Sequence, residues 1–215
     1  MIISIGSQKG GVGKSTIAIN LALGIAGLSK KIEVALVDAD AQKSCIETLQ
    51  NHNRKNLTLY EAEEKPHRLI ESLSQKIIIV DTPPHSHETM YQAAAVSDVV
   101  IIPLQPSPLD IRSIAITVKA LEVIQKKINP QLQCHFVINR ITHRTILSSE
   151  IRPVLEQRYP FPIFQTMLHN REAYKQSLIT GLSVLEYDKH SEAAKEMQMF
   201  LMEIIKAFKL KKLKS

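Results

Sequence analysis

Residues 7–16 read "SQKGGVGKST", directly behind the short apolar run "MIISIG" at residues 1–6. Three glycines and two lysines share those ten positions. The stretch that follows, "KSTIAINLALGIAGL" at 14–28, carries Ile17, Leu21 and Ile25 at four-residue spacing and reads as a helix. A strand that turns through glycines into a helix gathers backbone N–H groups and the positive end of a helix dipole around one point. That arrangement cradles phosphate. The usual Gly-x-x-x-x-Gly-Lys-Ser/Thr pattern would need glycine at position 8, where this chain has Gln8. The cradle of Gly10, Gly11, Val12, Gly13, Lys14, Ser15 and Thr16 is nonetheless intact. Lys14 is placed for β- and γ-phosphates, and the Ser15 hydroxyl for Mg²⁺. That leaves Lys9 unexplained. At the front of the loop, its ammonium is free to reach phosphates presented by a second subunit.

Working outward, apolar β-branched runs alternate with amphipathic stretches. Strands are expected at 2–6, 32–38, 76–84, 97–104 and 132–140, with a sixth at "PFPIFQTML", 160–168. Long helices are expected at 109–128 and 191–209. Strands apolar on both faces and separated by helices predict an α/β fold, a doubly wound and mostly parallel sheet with helices on both faces. One domain is expected over 1–209, with a basic tail at 210–215. Two acids, Asp38 and Asp40, close the second strand in "VALVDADAQ", and Asp81 closes the third in "IIIVDTPP". Acids at the carboxyl ends of strands beside a phosphate loop suit Mg²⁺, which keeps several of its waters.

Composition narrows the class. The 215 residues are 44% hydrophobic and carry a formal charge of +6, which points to an anionic partner, nucleic acid or membrane. No run approaches the roughly 20 apolar residues of a membrane span, and no leader pattern precedes the first strand. Cys45 and Cys134 have no partner at metal-ligand spacing, so they read as buried reduced thiols. A cluster-bearing ATPase would need Cys pairs. No Asn-Lys-x-Asp guanine motif is present. His85, His87 and His190 read as surface residues.

"KGGVGKST" resembles the deviant Walker A motif of the ParA/MinD family of dimerising ATPases, whose signature is the first lysine, here Lys9. "DADAQ" is similar to the family's Asp-x-Asp-Pro-Gln with Ala41 in place of proline, and "IIIVDTPP" to its Walker B strand. "SDVVIIPLQPSPLDI" and "NREAYKQSLITGLSVLE" resemble the small plasmid-partition ParA (ParF-like) proteins. The Lys-rich end after Lys209 has no counterpart in that likeness.

The resemblance implies an ATP-sandwich homodimer, leaves open whether it builds higher assemblies, and gives it ATP and Mg²⁺ as ligands. It implies Lys9, Lys14 and Asp40 as catalytic groups, Asp40 positioning the attacking water. It implies Lys9 and Gly10 to Thr16 on the nucleotide, with Asn139, Arg140, Met167 and Leu168 around the adenine. Ser15, Asp38 and Asp81 would serve the metal. The Pro103–Asp110 segment would lie near the nucleotide and the dimer contact. The function implied is plasmid or chromosome partition on nonspecific DNA, in the cytoplasm on the nucleoid, with hydrolysis stimulated by a small ParB-type centromere-binding protein. Arg144 and Arg171 are the expected DNA contacts. Because the strand signal begins at residue 2, operator reading by a preceding helix-turn-helix is not expected. The alternative is a MinD-like membrane ATPase using "MFLMEIIKAFKLKKLKS" as an amphipathic anchor; a final helix packed on the domain is the plainer reading.

Overall fold

A computed structural model describes residues 1–62, 64–142 and 146–210, the side chains of 146–149 excepted. Six strands, β1 (Ile2–Ile5), β2 (Val34–Asp38), β3 (Leu57–Glu61), β4 (Ile77–Asp81), β5 (Val99–Leu104) and β6 (Gln133–Ile138), form one sheet in the order β3-β2-β4-β1-β5-β6. Every pairing is parallel. The nine helices among the described residues are α1 (Lys14–Leu28), α2 (Ser44–Leu49), α3 (Pro66–Ser72), α4 (His87–Ala95), α5 (Pro108–Lys127), α6 (Ile146–Arg158), α7 (Glu172–Ile179), α8 (Val184–Tyr187) and α9 (Glu192–Ala207).

Strand alternation builds the two layers. Ile3, Ile5, Leu36, Ile79 and Ile101 face the core shared with α1 and α9. Ala35, Val37, Ile78 and Val80 face the opposite side, and Val100, Ile102 and Phe136 face the core that also holds Ile114 and Leu121 of α5. A sheet covered on both faces needs strands that are apolar throughout, as these are.

Helix α1 is buried on nearly all sides, from Ile17 to Ala26, because it lies between the sheet and α8–α9. Gly24 permits that approach, since a Cβ there would press on Leu185 and Leu201 at 3.2 Å. Asn20, fully buried, donates to Thr16 O and accepts from Val184 N, each at 2.8 Å, so its polarity is satisfied.

Two sequence expectations differ from the fold. Strand β3, "LTLYE", was not anticipated; it is a short edge strand flanked by polar residues. The segment 160–168 is not a sheet strand. It meets β6 through one isolated bridge, Phe136 with Ile163, and through Leu168 N donating to Ile138 O at 3.0 Å. Pro160 and Pro162 have no N–H for a ladder, although Pro162 O accepts from Phe136 N at 2.8 Å. The final helix is packed: Phe200, Leu201, Ile204 and Ile205 are buried in the core with Leu210. Its apolar face is therefore covered. No described helix is long and apolar enough to cross a membrane.

Candidate functional site

The glycine loop sits at the carboxyl end of β1 with its shape fixed by two positive φ angles, 73° at Gly11 and 92° at Gly13. At Gly13 a side chain is excluded twice: by φ, and by Asn139 Nδ2, which a Cβ would overlap. Neighbours hold the loop through its carbonyls. Asn139 Nδ2 donates to Val12 O at 2.7 Å, Gln105 Nε2 donates to Gly11 O at 3.1 Å, and Arg140 Nη1 donates to the same oxygen. With its carbonyls engaged outward, the loop can turn its N–H groups toward an anion.

The two lysines have different surroundings. Lys14, at the first turn of α1, is buried and donates from Nζ to Lys9 O at 3.1 Å. Burial lowers its pKa, and the nearby Asp81 and Asp40 carboxylates oppose that shift. Lys9 is more open and pairs with Asp110, a carboxyl 2% exposed at the start of α5. Gln105 and Asp110 thus bring both ends of the 103–110 segment to the loop.

The acids converge from β2 and β4, where Asp38 and Asp81 are register partners. Asp38 Oδ2 accepts from Cys45 N at 2.8 Å and Ile46 N at 3.2 Å, and its Oδ1 from Asp40 N at 3.1 Å. Burial nevertheless pushes its pKa up, against those hydrogen bonds. Asp81 is fully buried and pushed up to about 7, first by burial and further by Asp38; the Ser15 hydroxyl, the Cys45 thiol and Lys14 pull the other way. Its Oδ2 accepts from Cys45 Sγ at 3.3 Å, while Oδ1 is buried without a hydrogen-bond partner. An orphaned carboxylate oxygen beside a serine hydroxyl and a phosphate cradle fits Mg²⁺. The described residues contain no cluster of three His, Cys, Asp or Glu for a metal. A magnesium site completed by phosphate and water does not require one. Asp40 and Asp38 line a second cleft with Pro83, Pro84 and Glu61.

The expected base contacts divide. Asn139, Arg140 and Leu168 line one cleft with Gly13, Thr16, His169, Asn170 and Arg171. Its volume of about 170 Å³ is below the roughly 300–1,000 Å³ of pockets that enclose whole ligands, so it suits one portion of a nucleotide. Met167 is not among the lining residues. Extended alternation turns it to the core containing α5, opposite Leu168.

Arg171 lies in the cleft wall and is held by Glu196, rather than standing as a free surface cation. Arg144 lies outside the described residues. His87 bonds Gln8 through Nδ1 at 2.7 Å, and both thiols are buried and free. Gln105, Cys45, Asp110 and Glu196 were not singled out from sequence as site residues. Only the proline-rich segment carrying Gln105 and Asp110 offered a signal for any of them.

Comparison with known proteins agrees with this geometry. A family profile described as the CobQ/CobB/MinD/ParA nucleotide binding domain matches residues 3–184. The chain is 28% identical over 211 residues to the maintenance of carboxysome distribution protein A of Halothiobacillus neapolitanus, covering 94% of this chain and 95% of that one. It is 23% identical to the chromosome-partitioning ATPase Soj of Thermus thermophilus, covering 94% of each chain. Among solved structures, the septum site-determining protein MinD of Pyrococcus horikoshii, complexed with Mg-ADP, superposes with a TM-score of 0.77 at 20% identity, over 100% of this chain and 98% of that one.

Proposed function

Because the chain belongs to the CobQ/CobB/MinD/ParA nucleotide-binding family, we propose that it is a Mg²⁺-dependent ATPase that dimerises on ATP and positions a large cargo on nonspecific DNA. The observation that carries this reading is the division of labour between two lysines of one loop: Lys14 buried beside Asp81 in the cradle, Lys9 at the rim.

The chain's own residues supply binding and orientation. Backbone N–H groups from Gly10 to Thr16 and the Lys14 ammonium bind phosphate oxygens. Ser15 and Asp81 would hold Mg²⁺, with Asp38 behind them; the ion, when bound, neutralises developing charge on the phosphates. Asp40, two residues past the end of β2, orients the attacking water. Lys9 leaves Asp110 and reaches the partner subunit's nucleotide, where a cation in trans offsets transition-state charge. Asn139, Arg140 and Leu168 flank the base.

Partition of a plasmid or chromosome, with a small ParB-type partner stimulating hydrolysis in the cytoplasm, is the reading we favour, supported by the likeness to Soj and the charge of +6. A protein cargo is the second reading, supported by the likeness to a carboxysome distribution protein. A membrane anchor is disfavoured by the buried apolar face of α9. We take 1–209 as the single ATPase domain, and Leu210, just beyond that bound, is buried with its core.

The test is Lys9→Ala. It should bind ATP with near wild-type affinity, sediment as a monomer with ATP, and lose hydrolysis by on the order of 10³-fold, the scale of a lost charge-stabilising donor. A Lys9→Ala protein that dimerises and hydrolyses normally removes the trans lysine from the scheme.

A further inference from the structure

We propose that Glu196 is a positioning residue for the nucleotide base, holding from α9 the wall against which the base rests; the inference depends on the ATP reading above. Glu196 lies two turns before Glu203 on the same helix, and each carboxylate clasps the irregular segment that passes beside β6. Glu203 accepts from Gln165 N at 2.6 Å and Thr166 N at 2.9 Å.

Glu196 does more. Its Oε1 accepts from Arg171 Nε at 3.0 Å and Nη2 at 2.5 Å and lies 2.9 Å from His169 Nδ1, while its Oε2 accepts from His169 N at 3.1 Å. The carboxylate is mostly withdrawn from solvent, 13% exposed. Every group it engages belongs to the wall of the base cleft.

The wall needs such a hold because it has no ladder of its own. Leu168 and Asn170 meet the end of β6 and the chain after it through Leu168 N to Ile138 O at 3.0 Å, Ile141 N to Leu168 O at 3.2 Å and Asn170 N to Ile141 O at 2.9 Å. Those bonds fix one side of the segment. The other side, from which His169 and Arg171 project, is fixed by Glu196. Two guanidinium N–H groups converging on Oε1 also restrain the arginine's orientation more than a single hydrogen bond would. The phosphate loop has no contact with Glu196 among the hydrogen bonds of the described residues. Its anchors are Gln105, Asn139 and Arg140. Asn139 and Arg140 thus serve both sides, tying the loop and lining the base cleft, whereas Glu196 holds only the far wall of that cleft and serves the base alone.

The experiment measures affinity for Mg-ATP and for inorganic triphosphate with Mg²⁺, in the wild type, Glu196→Gln and Glu196→Ala. Gln198→Ala, on the exposed side of the same helix, is the control. Loss of charged hydrogen bonds should weaken ATP by about ten- to a hundredfold in Glu196→Ala. Triphosphate affinity should stay within about twofold of wild type, a change too small to report a lost bond. Glu196→Gln keeps the shape and an oxygen for His169 N, so it should fall between, and it serves if the alanine variant does not fold. Equal loss of both ligands would mean a structural role and overturn the proposal, as would wild-type ATP affinity in both variants. Failure of the wild type to bind either ligand would overturn the ATP reading beneath it.

Discussion

The phosphate half and the base half of the site we propose are built in different ways. The phosphate half is local. Residues 10–16 form the cradle, and the acids that face it stand at the ends of neighbouring strands, where sheet register alone brings Asp38 and Asp81 together. Asn139 and Arg140 after β6 serve both halves, tying the loop and lining the proposed base cleft, and the rest of the base half comes from distant chain: Leu168 to Arg171 on a segment without regular structure, and Glu196 from α9. A strand-turn-helix unit carries its own geometry wherever it is placed, whereas a wall tied by side-chain carboxylates keeps its shape only while those ties hold. Damage should therefore be severe and indiscriminate in the first half, graded and ligand-selective in the second.

The largest effect tests the first half. Lys14→Ala removes a buried cation aimed into the cradle, one whose ammonium also faces Asp81 and Asp40. Affinity for ATP and for inorganic triphosphate should fall together by roughly a hundredfold or more. Fluorescence or calorimetric titration measures both. A Lys14→Ala protein that loses ATP but keeps triphosphate would break the comparison, because the phosphate half would then be serving the base.

An intermediate effect concerns charge. The Asp81 carboxyl is pushed up to about 7 from an ordinary value of 3.8, so the folded protein holds its proton more tightly than the unfolded chain does. This group's contribution to stability is present in full below about 4 and is lost as pH rises through 7. Burial also raises the Asp38 pKa, which adds in the same direction. Denaturant melts of the ligand-free protein should show wild-type stability falling from pH 5 to 8 relative to Asp81→Asn, which removes that slope. Mg²⁺ in the presence of ATP should bind more tightly at pH 8 than at pH 6, since it then meets a carboxylate and not a carboxylic acid. A flat difference between wild type and Asp81→Asn would show that the orphaned oxygen is not the titrating group.

The same contrast explains what was legible beforehand. Helix α1 runs over 14–28 as its periodicity predicts, because the glycine turn and the apolar spacing lie in one continuous stretch. The acids were legible because each ends an apolar strand. Strand β3 was not, since "LTLYE" is a short edge strand with only Leu57 buried. The segment 160–168 carries a strand's composition, yet its prolines cannot donate to a ladder, and its real supports are side chains remote from it in sequence, Glu203 on the Gln165 and Thr166 N–H groups and Arg152 on the Phe164 and Gln165 carbonyls. A lone glutamate on a helix gives no local sign that its partner is a cleft wall. Cys45 is similar: its contact with Asp81 follows from the way α2 packs on β2, not from spacing.

The smallest expected effect is the most discriminating. Sequence alone places Arg171 on DNA; its observed partner is Glu196, whose hydrogen bonding raises the arginine's pKa and whose charge cancels its own. A cation that neutralises a DNA phosphate contributes about 0.9 to the slope of log affinity against log salt. A cation already neutralised by a carboxylate releases few counterions when it meets DNA. Arg171→Ala, measured at saturating ATP so that lost base contacts do not intrude, should leave that slope nearly unchanged for duplex DNA of any sequence. The same variant should weaken ATP clearly, since it removes one side of the wall. A fall of about 0.9 in the slope would mean that Arg171 leaves Glu196 for phosphate when DNA arrives. The base half would then be coupled to DNA binding, and the separation of the two halves would hold only in the protein without DNA.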